Sequence, residues 1–275
     1  MMKVKNLGSL HVENKLLYSI SLRRYITIDF YLPKNIADPS QLSLLLINDG
    51  QDLYQMKFDV MLNDLMETNQ VQPLLCVGIH ANRDRKKEYG TVHTADYANR
   101  GARAGAYKDF ILQHLLPFIH TNFCVESFKM KGMAGFSLGG LSALDLVWNH
   151  PYIFSIAGVF SGSLWWRSRS LEDCYVEETD RIMHQQIKSG DFKKGLKFYF
   201  TTGSLDETAD RNNNGIIDSI DDTLGLISEL EQLGYEKETD IKYINFEDGR
   251  HDVETWGRSM PKFLLWGWGG RKYEI

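Results

Sequence analysis

The sequence predicts an α/β fold in which a mostly parallel, doubly wound sheet is flanked by helices. Two observations support this prediction. Short, continuously apolar runs are typical of strands that are covered on both faces. Helical patterns lie between them and repeat their apolar residues at spacings of three and four, an alternation typical of a parallel sheet. The apolar runs are 42–47, 74–79, 130–134, 155–160, 197–201 and 241–246, and the helical patterns are 58–66, 107–120, 138–148, 223–233 and 252–265.

The remaining segments fit the same architecture. Residues 25–32 alternate in polarity and end at Pro33, which predicts a further strand. Two insertions interrupt the alternation: a polar stretch at 81–106, and residues 161–195, which contain a predicted helix at 177–188. Insertions of this length are typical of lids and pockets. Since no linker or repeat is present, we predict one domain over residues 1–275.

Composition excludes several classes of protein. Of 275 residues, 43% are apolar and 24% are charged, which excludes disorder, collagen and coiled coil as the main architecture. The net charge of −5 indicates no bulk attraction to nucleic acid or to an anionic membrane. Residues 1–10 lack the apolar region of a signal peptide, and no run is long enough to span a membrane. Three widely spaced cysteines predict reduced, mostly buried thiols, and we expect a cytoplasmic enzyme.

The pentapeptide Gly135-Phe136-Ser137-Leu138-Gly139 has the pattern G-x-S-x-G, between a predicted strand and a predicted helix. In that context the pattern is typical of a sharp turn that exposes a serine hydroxyl above the sheet. The alternative is an ordinary glycine-rich turn between a strand and a helix. We predict that Ser137 is a nucleophile, and a serine hydroxyl needs a base to take its proton.

The predicted base and acid follow later strands, in the order serine, acid, histidine. His251 comes after the last predicted strand and before a helix, whereas the other histidines precede the strand expected to carry the acid. Asp206 follows the strand at 197–201 and would orient the imidazole. Glu207 and Asp210 are rival acids in the same loop, and a solvated acidic loop is the simplest alternative.

Two backbone N–H groups are the predicted donors to an oxyanion. One belongs to Leu138, the residue after the nucleophile. The other belongs to Gln51, in the loop that follows the strand at 42–47, where Gly50 allows a close turn. An ordinary turn at the end of a strand is the alternative for this loop.

At this point the chain resembles the esterase family of α/β hydrolases, which includes enterochelin esterases, feruloyl and acetylxylan esterases, S-formylglutathione hydrolases and mycolyltransferases. The matching segments are 46–52, 82–89, 135–140 and 249–252, within a resemblance that spans roughly residues 25 to 266. The resemblance implies an α/β-hydrolase fold, the triad of Ser137, Asp206 and His251, and the donors Gln51 and Leu138. The chain departs from the family at Arg250, where many members have glycine before the histidine.

A second motif follows the predicted acid and has the pattern D-x-N-x-N-G-x-x-D-x-x-D over residues 210–221. Oxygen ligands at these positions, with glycine at the sixth and a backbone carbonyl at the seventh, have the spacing of a calcium loop. A strand precedes it rather than a helix, so it resembles the loops of dockerin modules and not an EF-hand. The alternative is an Asn- and Gly-rich turn in which Asp218 or Ser219 caps the next helix. The predicted ligands of a structural Ca²⁺ are Asp210, Asn212, Asn214, Ile216, Asp218 and Asp221.

The insertions supply candidate substrate-binding residues, namely Arg85, Tyr89, Trp165 and Trp166. Arginines favour an anionic or polyol substrate and tryptophans favour a ring, although surface charge and a small core are the alternative. The sequence thus predicts a serine-dependent carboxylic ester hydrolase that forms an acyl-enzyme on a siderophore, carbohydrate or small acyl ester, with no cofactor needed for chemistry. The alternatives are a non-catalytic carbohydrate-binding protein and an acyltransferase or thioesterase.

Overall fold

A mixed sheet occupies the centre of the chain in the computed structural model, which describes residues 4–34, 36 and 38–270. Its strands are β1 (Val4–Leu7), β2 (Leu10–Ser19), β3 (Arg24–Pro33), β4 (Ser43–Asn48), β5 (Leu74–Ile79), β6 (Lys131–Phe136), β7 (Ile156–Phe160), β8 (Lys197–Leu205) and β9 (Ile241–Arg250). Their order across the sheet is β1-β2-β3-β5-β4-β6-β7-β8-β9. The six strands from β5 to β9 in that order are parallel, and β1, β2 and β3 form an antiparallel extension.

Helices cover both faces of this sheet. They are α1 (Phe58–Glu67), α2 (Arg85–Glu88), α3 (Ala104–Asp109), α4 (Leu116–Asn122), α5 (Leu138–Asn149), α6 (Glu177–Asp180), α7 (Ile182–Lys188), α8 (Asp218–Gln232) and α9 (Val253–Trp268). A π-helical turn (Phe110–Leu115) joins α3 to α4, and short 3-10 turns lie at Pro39–Gln41 and Gly50–Leu53. Apolar residues of α3, α4, α5, α7 and α8 pack on one face of the sheet, and those of α1 and α9 pack on the other.

The parallel strands confirm the predicted fold class. Every residue of β4 and of β5 is buried, and successive residues of β4 alternate between the two cores: Leu44 and Leu46 face one, Leu45 and Ile47 the other. Burial on both faces is the reason that such strands appear in the sequence as continuous apolar runs.

Strands β1 and β2 were not among the predicted elements. In β2, Leu16 is 60% exposed and Tyr18 is 53% exposed, so the strand carries no continuous apolar run. Several helix boundaries also differ from prediction. Helix α8 begins at Asp218, five residues earlier than expected, and the helix predicted at 177–188 is divided at Arg181. The π-helical turn immediately precedes α4, which contains Pro117 at its start, a residue without an N–H for the helical ladder.

The second insertion, 161–195, is packed against the rest of the domain. Trp166 and Met183 lie in the main core, and α7 contacts α8. Its role as a lid stays a prediction. Within residues 4–34, 36 and 38–270, no helix is both long and apolar enough to cross a membrane. The first three residues of the segment considered for a signal peptide lie outside the described residues.

The cysteines are free, as predicted, but their burial differs from the expectation. Cys76 is buried in β5, whereas Cys124 and Cys174 are exposed. Both exposed cysteines have a positive φ, 53° and 49° respectively, and lie outside the strands and helices.

Candidate active site

Ser137 lies at a sharp turn between β6 and α5, with φ 55° and ψ −121°. A side chain is strained in this backbone conformation, which is characteristic of functional positions. The flanking glycines allow the strand and the helix to approach closely. A Cβ on Gly135 would lie 2.4 Å from the carbonyl carbon of Gly139, and one on Gly139 would lie 2.4 Å from Asp49 Oδ2. The G-x-S-x-G pattern is therefore required by the backbone packing, and the turn presents the Ser137 side chain at the carboxyl end of the sheet.

Ser163 is a neighbour of the nucleophile that the sequence analysis did not single out. Its Oγ lies 3.3 Å from Ser137 Oγ, and its N–H donates to the Ser137 carbonyl at 3.1 Å. Ser163 is only 4% exposed. The signal in the sequence is its position shortly after β7, because β7 is the strand adjacent to β6. The described residues thus show the Ser137 hydroxyl hydrogen-bonded to Ser163 rather than to His251.

The predicted acid and base lie at the ends of adjacent parallel strands. Leu205 of β8 pairs with Arg250 of β9, after an irregularity in register that follows Gly203. Asp206 and His251 are the next residues on the two strands, so the register places them side by side. The His251 ring packs edge-on against Trp256 at 5.3 Å, and Trp256 stacks on Phe136 at 5.2 Å, which links the base to β6.

Both carboxylate oxygens of Asp206 are buried and have no hydrogen-bond partner among the described residues. Burial raises the pKa of the Asp206 carboxyl above its ordinary value, while His251 and two nearby donors that do not reach hydrogen-bonding geometry, the Gly203 N–H and the Ser161 hydroxyl, lower the pKa. Unpaired buried polar groups are rare in proteins and are found at functional sites. A carboxylate beside an imidazole, with its acceptor capacity unused, is suited to hold an imidazolium as it forms.

His251 lies at the edge of the site, with part of its surface exposed. Partial loss of water lowers its pKa from the ordinary value of 6.5; the Asp206 charge raises the pKa and the Arg85 charge lowers it further. Since its pKa lies below the ordinary value, the imidazole is uncharged at neutral pH and can accept a proton.

Glu207 is directed toward a different part of the molecule. Burial raises the pKa of Glu207, and the backbone N–H of Ser219, at the start of α8, lowers it. Asp206 is among the charges that act on His251, whereas Glu207 is not. This arrangement favours Asp206 over its neighbour as the partner of the imidazole.

The two predicted oxyanion donors lie at the beginnings of helical turns. Leu138 is the first residue of α5, and Gln51 is the second residue of the 3-10 turn Gly50–Leu53. The first N–H groups of a helical turn have no partner within it. The Gln51 side chain accepts a hydrogen bond from the Ala81 N–H at 3.0 Å, which fixes this loop against the end of β5.

Arg85 joins the oxyanion loop to the nucleophile turn. Its guanidinium donates to Asp49 Oδ1 at 2.6 Å, to Asp49 Oδ2 at 2.7 Å and to the Phe136 carbonyl at 3.0 Å. The Asp49 residue is 1% exposed, and the guanidinium also lies over the Tyr89 ring at 5.3 Å. A substrate contact at Arg85 stays a prediction, and the hydrogen bonds of this side chain in the structure are to the protein itself.

Two of the predicted substrate-binding residues are core residues. Tyr89 is 1% exposed, and its hydroxyl accepts a hydrogen bond from the Asp49 N–H at 3.3 Å. Trp166 is 0% exposed and donates from Nε1 to Thr91 Oγ1 at 3.1 Å. The structure corrects the prediction for these two rings, because burial leaves them no surface for a substrate. Trp165 is half-buried and remains a candidate.

The predicted calcium loop brings part of its ligand set together. The Asp210 oxygens accept the backbone N–H groups of Asn214 and Gly215, at 3.1 and 2.9 Å. The side-chain amides of Asn212 and Asn214 both donate to the Asp221 carboxylate, at 3.0 and 3.2 Å. Gly215 has φ 85°, as the sharp turn at the sixth position requires.

Two other predicted ligands are arranged differently. Asp218 accepts the Arg211 N–H at 2.9 Å and lies 3.2 Å from the Arg211 guanidinium, at the first position of α8. Ile216 is 39% exposed, and its N–H donates to the Asn214 side chain at 2.8 Å. In the described part of the chain, no three side chains of the types His, Cys, Asp and Glu converge as a metal site would require. Calcium binding therefore stays a prediction, and it depends on the Asn oxygens turning inward.

Comparisons with known proteins show which family the fold and this site belong to. The family model named "Putative esterase" matches residues 19–266. Protein YjcH of Bacillus subtilis is 24% identical over 247 residues, which cover 89% of this chain and 92% of YjcH. The siderophore triacetylfusarinine C esterase of Aspergillus fumigatus is 31% identical over 88 residues, which cover 31% of this chain and 30% of that enzyme.

Among solved structures, the enterobactin esterase FES of Shigella flexneri superimposes with a TM-score of 0.70 at 18% identity. The match covers 95% of this chain and 60% of FES, so this chain spans less than two thirds of the length of that enzyme. At this identity the likeness establishes the fold, and the family match over most of the chain establishes the kinship. The chain belongs to this esterase family of α/β-hydrolase fold and is a carboxylic ester hydrolase.

Proposed function

We propose that the chain is a serine esterase in which Ser137 is the nucleophile, His251 the general base and Asp206 the acid that orients it. The observation that supports this assignment best is the unpaired carboxylate of Asp206. It is buried one residue beyond the Leu205–Arg250 pair of adjacent strands, beside His251. A structural carboxylate in that position would be expected to have found a donor in the protein.

The reaction follows from these positions. The Ser137 hydroxyl attacks the ester carbonyl while His251 takes its proton, and the N–H groups of Leu138 and Gln51 stabilise the oxyanion. The tetrahedral adduct then breaks its bond to the alcohol oxygen, and the imidazolium returns the proton to that oxygen. Water, deprotonated by His251, attacks the acyl-enzyme and releases the carboxylic acid and free Ser137.

Among the described residues, the Ser137 hydroxyl is hydrogen-bonded to Ser163 and not to His251. Catalytic hydrogen bonds are often long in the absence of substrate and shorten when substrate binds. The proposed mechanism requires the Ser137 hydroxyl to donate to His251 when substrate is bound.

For the substrate we propose an ester of a siderophore or of a related small acylated compound. Two matched proteins are named for siderophore or enterobactin esterase activity, and Trp165, two residues after Ser163, packs against the Arg100 guanidinium at 4.7 Å. A panel of esters decides among the classes that the sequence allows: a catecholate siderophore, methyl ferulate, acetylated xylo-oligomers and p-nitrophenyl acetate. Preference for the xylo-oligomers would contradict the siderophore proposal.

A fluorophosphonate probe tests the chemistry independently of the substrate. It reacts only with an activated serine, so we expect stoichiometric labelling of Ser137, identified by peptide mass spectrometry. Absence of labelling would favour a non-catalytic, carbohydrate-binding protein. Labelling accompanied by acyl transfer to added alcohols or thiols in preference to water would favour an acyltransferase.

We also propose that the 210–221 loop holds a structural Ca²⁺ that stabilises the segment following Asp206. Asp210, Asn212, Asn214 and Asp221 already form one hydrogen-bonded group. Arg211, within the loop, forms ion pairs with Asp222 of α8 and Glu177 of α6. A loop fixed on two sides needs little rearrangement to turn amide oxygens toward a cation.

A cytoplasmic location is part of the same proposal. The exposed Cys124 and Cys174 are both free thiols, and free exposed thiols are typical of reducing compartments. Fractionation of the source cells with an antibody to the protein tests this location, and recovery from the medium or the periplasm would contradict it.

A further inference from the structure

The hydroxyl of Ser161 is buried beside the candidate active site and takes no part in the mechanism above. Ser161 is the residue after β7 and is 1% exposed. Its N–H donates to the Thr201 carbonyl of β8 at 2.7 Å, and its φ is 45°. The Phe160 carbonyl, directly before it, accepts the N–H of Ser137 at 2.8 Å. The backbone thus holds Ser161 between the strand that precedes the proposed acid and the turn that carries the nucleophile.

The Ser161 hydroxyl accepts a hydrogen bond from the indole of Trp256. The distance from Trp256 Nε1 to Ser161 Oγ is 3.0 Å, and both residues are buried. The same indole packs edge-on against the His251 ring at 5.3 Å and stacks on Phe136 at 5.2 Å. Because a buried indole N–H needs an acceptor, this bond fixes the ring against which the proposed base packs.

Accepting this bond leaves the proton of the Ser161 hydroxyl available for donation. A serine hydroxyl has one donor and two acceptor lone pairs, and Trp256 is its partner in the described part of the chain. Both buried carboxylate oxygens of Asp206 are without a donor among the described residues, and the Ser161 hydroxyl is near enough to lower the pKa of that carboxyl. The two groups do not reach hydrogen-bonding geometry in the structure, and catalytic hydrogen bonds often shorten only when substrate binds.

We propose that Ser161 is a positioning residue, whose hydroxyl donates to the Asp206 carboxylate while it holds the Trp256 indole. Because that indole packs on His251, one side chain then supports both the acid and the base. The donation favours the charged form of Asp206, which is the form that stabilises the imidazolium. This inference rests on the proposed function, since it assigns Ser161 a role in that triad.

A purely structural hydroxyl is the alternative, with the buried Trp256 N–H as its only partner. Both roles predict that Ser161→Ala lowers the melting temperature, because the variant leaves the indole N–H buried without an acceptor. Only the positioning role predicts a change in the pH dependence of the reaction. The pH profile therefore separates the two roles, whereas stability alone does not.

The direction of the pH change follows from the charges around the acid. Asp206 and His251 titrate as a pair, so the acid limb of the reaction belongs to both groups. Loss of the Ser161 donor disfavours the charged carboxylate, and the limb should therefore move to higher pH. The other titratable or charged groups that interact with this pair are Arg85, Glu207, Tyr243 and Asp252.

The rate of fluorophosphonate labelling as a function of pH measures this effect without a choice of substrate. Labelling of Ser137 needs the neutral imidazole, because a serine hydroxyl needs a base. In Ser161→Ala we expect the acid limb to move up by about 0.5 pH unit or more, since two or three donors lower the pKa of a carboxylate by roughly 2. Asp206→Asn removes the charge and should move the limb the other way. An unmoved limb in Ser161→Ala would overturn the inference.

Two further variants separate the hydroxyl from its effect on the fold. Ser161→Gly also lacks the hydroxyl, and glycine adopts a φ of 45° without strain, so it should move the limb by the same amount. The double variant Ser161→Ala/Trp256→Phe also removes the unpaired indole N–H and should recover melting temperature, while the limb stays at higher pH. Return of the limb to its wild-type position in the double variant would show that Ser161 acts only through Trp256 and would overturn the donation to Asp206.

Ser259→Ala is the matched control, because Ser259 is another fully buried serine of the same region. Its Oγ lies 2.9 Å from the Tyr199 hydroxyl and 2.6 Å from Thr201 Oγ1, but it is not among the groups that act on Asp206 or His251. This variant should lower the melting temperature and leave the acid limb in place. An equal movement of the limb in the control would overturn the inference.

The labelling experiment also separates this inference from the proposed function. Absence of labelling in the wild type would contradict the proposed function, and the role of Ser161 would fall with it. Labelling of the wild type with an unmoved limb in both Ser161→Ala and Ser161→Gly would overturn the role of Ser161 alone. A limb at higher pH in both variants, with the control unchanged, is the expected result.

Discussion

The Arg85 guanidinium holds both carboxylate oxygens of Asp49, at 2.6 and 2.7 Å, and the Phe136 carbonyl that directly precedes the nucleophile. This contact joins the ends of β4 and β6, the two strands that carry the proposed oxyanion donors and the nucleophile. Since the Asp49 carboxylate also packs against the Gly139 backbone, the three segments are fixed relative to one another by one ion pair. Catalytic groups must be held within a fraction of an ångström of their working geometry, and rigid supporting contacts provide this.

Loss of the Arg85 charge should therefore destabilise the protein and slow the reaction. Arg85→Gln leaves the buried Asp49 carboxylate uncompensated, which is expected to cost about 3 kcal/mol in the free energy of unfolding. Denaturant titration measures this cost. Arg83→Gln, in the same loop but exposed, is the matched control and should change the free energy of unfolding by less than about 0.5 kcal/mol. The double variant Asp49→Asn/Arg85→Gln should recover part of the loss, because it removes the unpaired charge.

Removal of the nucleophile tests the centre of the proposal. Ser137→Ala should lower kcat for ester hydrolysis by about 10⁴–10⁶-fold, the usual cost of losing the nucleophile of such a triad. The melting temperature should not fall, because alanine keeps the packing around the turn and removes only the contact made by one hydroxyl group. More than a tenth of the activity surviving would rule out Ser137 as the nucleophile. Ser163→Ala, which removes the neighbouring hydroxyl, is the informative comparison and should cost far less in kcat.

The pH dependence should report the neutral imidazole. The pKa of His251 is lowered from its ordinary 6.5, so the base is deprotonated at neutral pH and the acid limb of kcat/KM should lie below pH 6.5. The Asp206 charge opposes this lowering. Asp206→Asn should therefore move the limb to still lower pH, in addition to reducing the rate. A limb above pH 7 in the wild type would contradict the assignment of the base.

Calcium should stabilise the chain if the 210–221 loop binds it. A chelator is expected to lower the melting temperature and added Ca²⁺ to restore it, since a ligand that binds only the folded state stabilises it by mass action. Asp221→Asn should abolish this response, because its carboxylate is the centre on which the Asn212 and Asn214 amides converge. Asp173→Asn, an exposed carboxylate elsewhere, is the control. Calorimetry that detects no binding at millimolar Ca²⁺ would contradict the proposal that this loop holds the metal.

Much of this site could be predicted because its signals are local in sequence. The strand, the G-x-S-x-G turn and the helix that follows it occupy one short segment, and each parallel strand is marked by a continuous apolar run. Ser163 could not be predicted in the same way. Its contact with Ser137 depends on β7 lying beside β6, which is a property of the order of the strands. The same holds for the Arg85–Asp49 pair, which joins loops that follow two different strands.

The prediction of substrate-binding residues was wrong for side chains whose role is decided by burial and not by residue type. Trp165 and Trp166 are adjacent and chemically identical, but the first is half-buried and the second is entirely buried beneath Gly90 and Gly101. Tyr89 is likewise a core residue that supports Asp49. Such differences depend on tertiary packing, to which local pattern is insensitive.

The acid of the proposed triad must be identified among three carboxylates of one loop. Asp206, Glu207 and Asp210 lie within five residues, but they face different partners: His251 for Asp206, the Ser219 N–H for Glu207, and the backbone of Asn214 and Gly215 for Asp210. Asp206→Asn should lower kcat about 10³–10⁴-fold at neutral pH, because the amide cannot hold the imidazole in the required tautomer.

The same measurement on its two neighbours completes the argument. Glu207→Gln should cost less than about tenfold in kcat, since a side chain outside the triad makes no contact with the reacting groups. Its effect should appear instead in the free energy of unfolding, because it interacts with the start of α8. Asp210→Asn should lower the melting temperature and the response to Ca²⁺ while kcat stays within a few-fold. If Glu207→Gln were the crippling change, the pairing of Leu205 with Arg250 would not align the acid with His251, and the acid would have to be reassigned to Glu207.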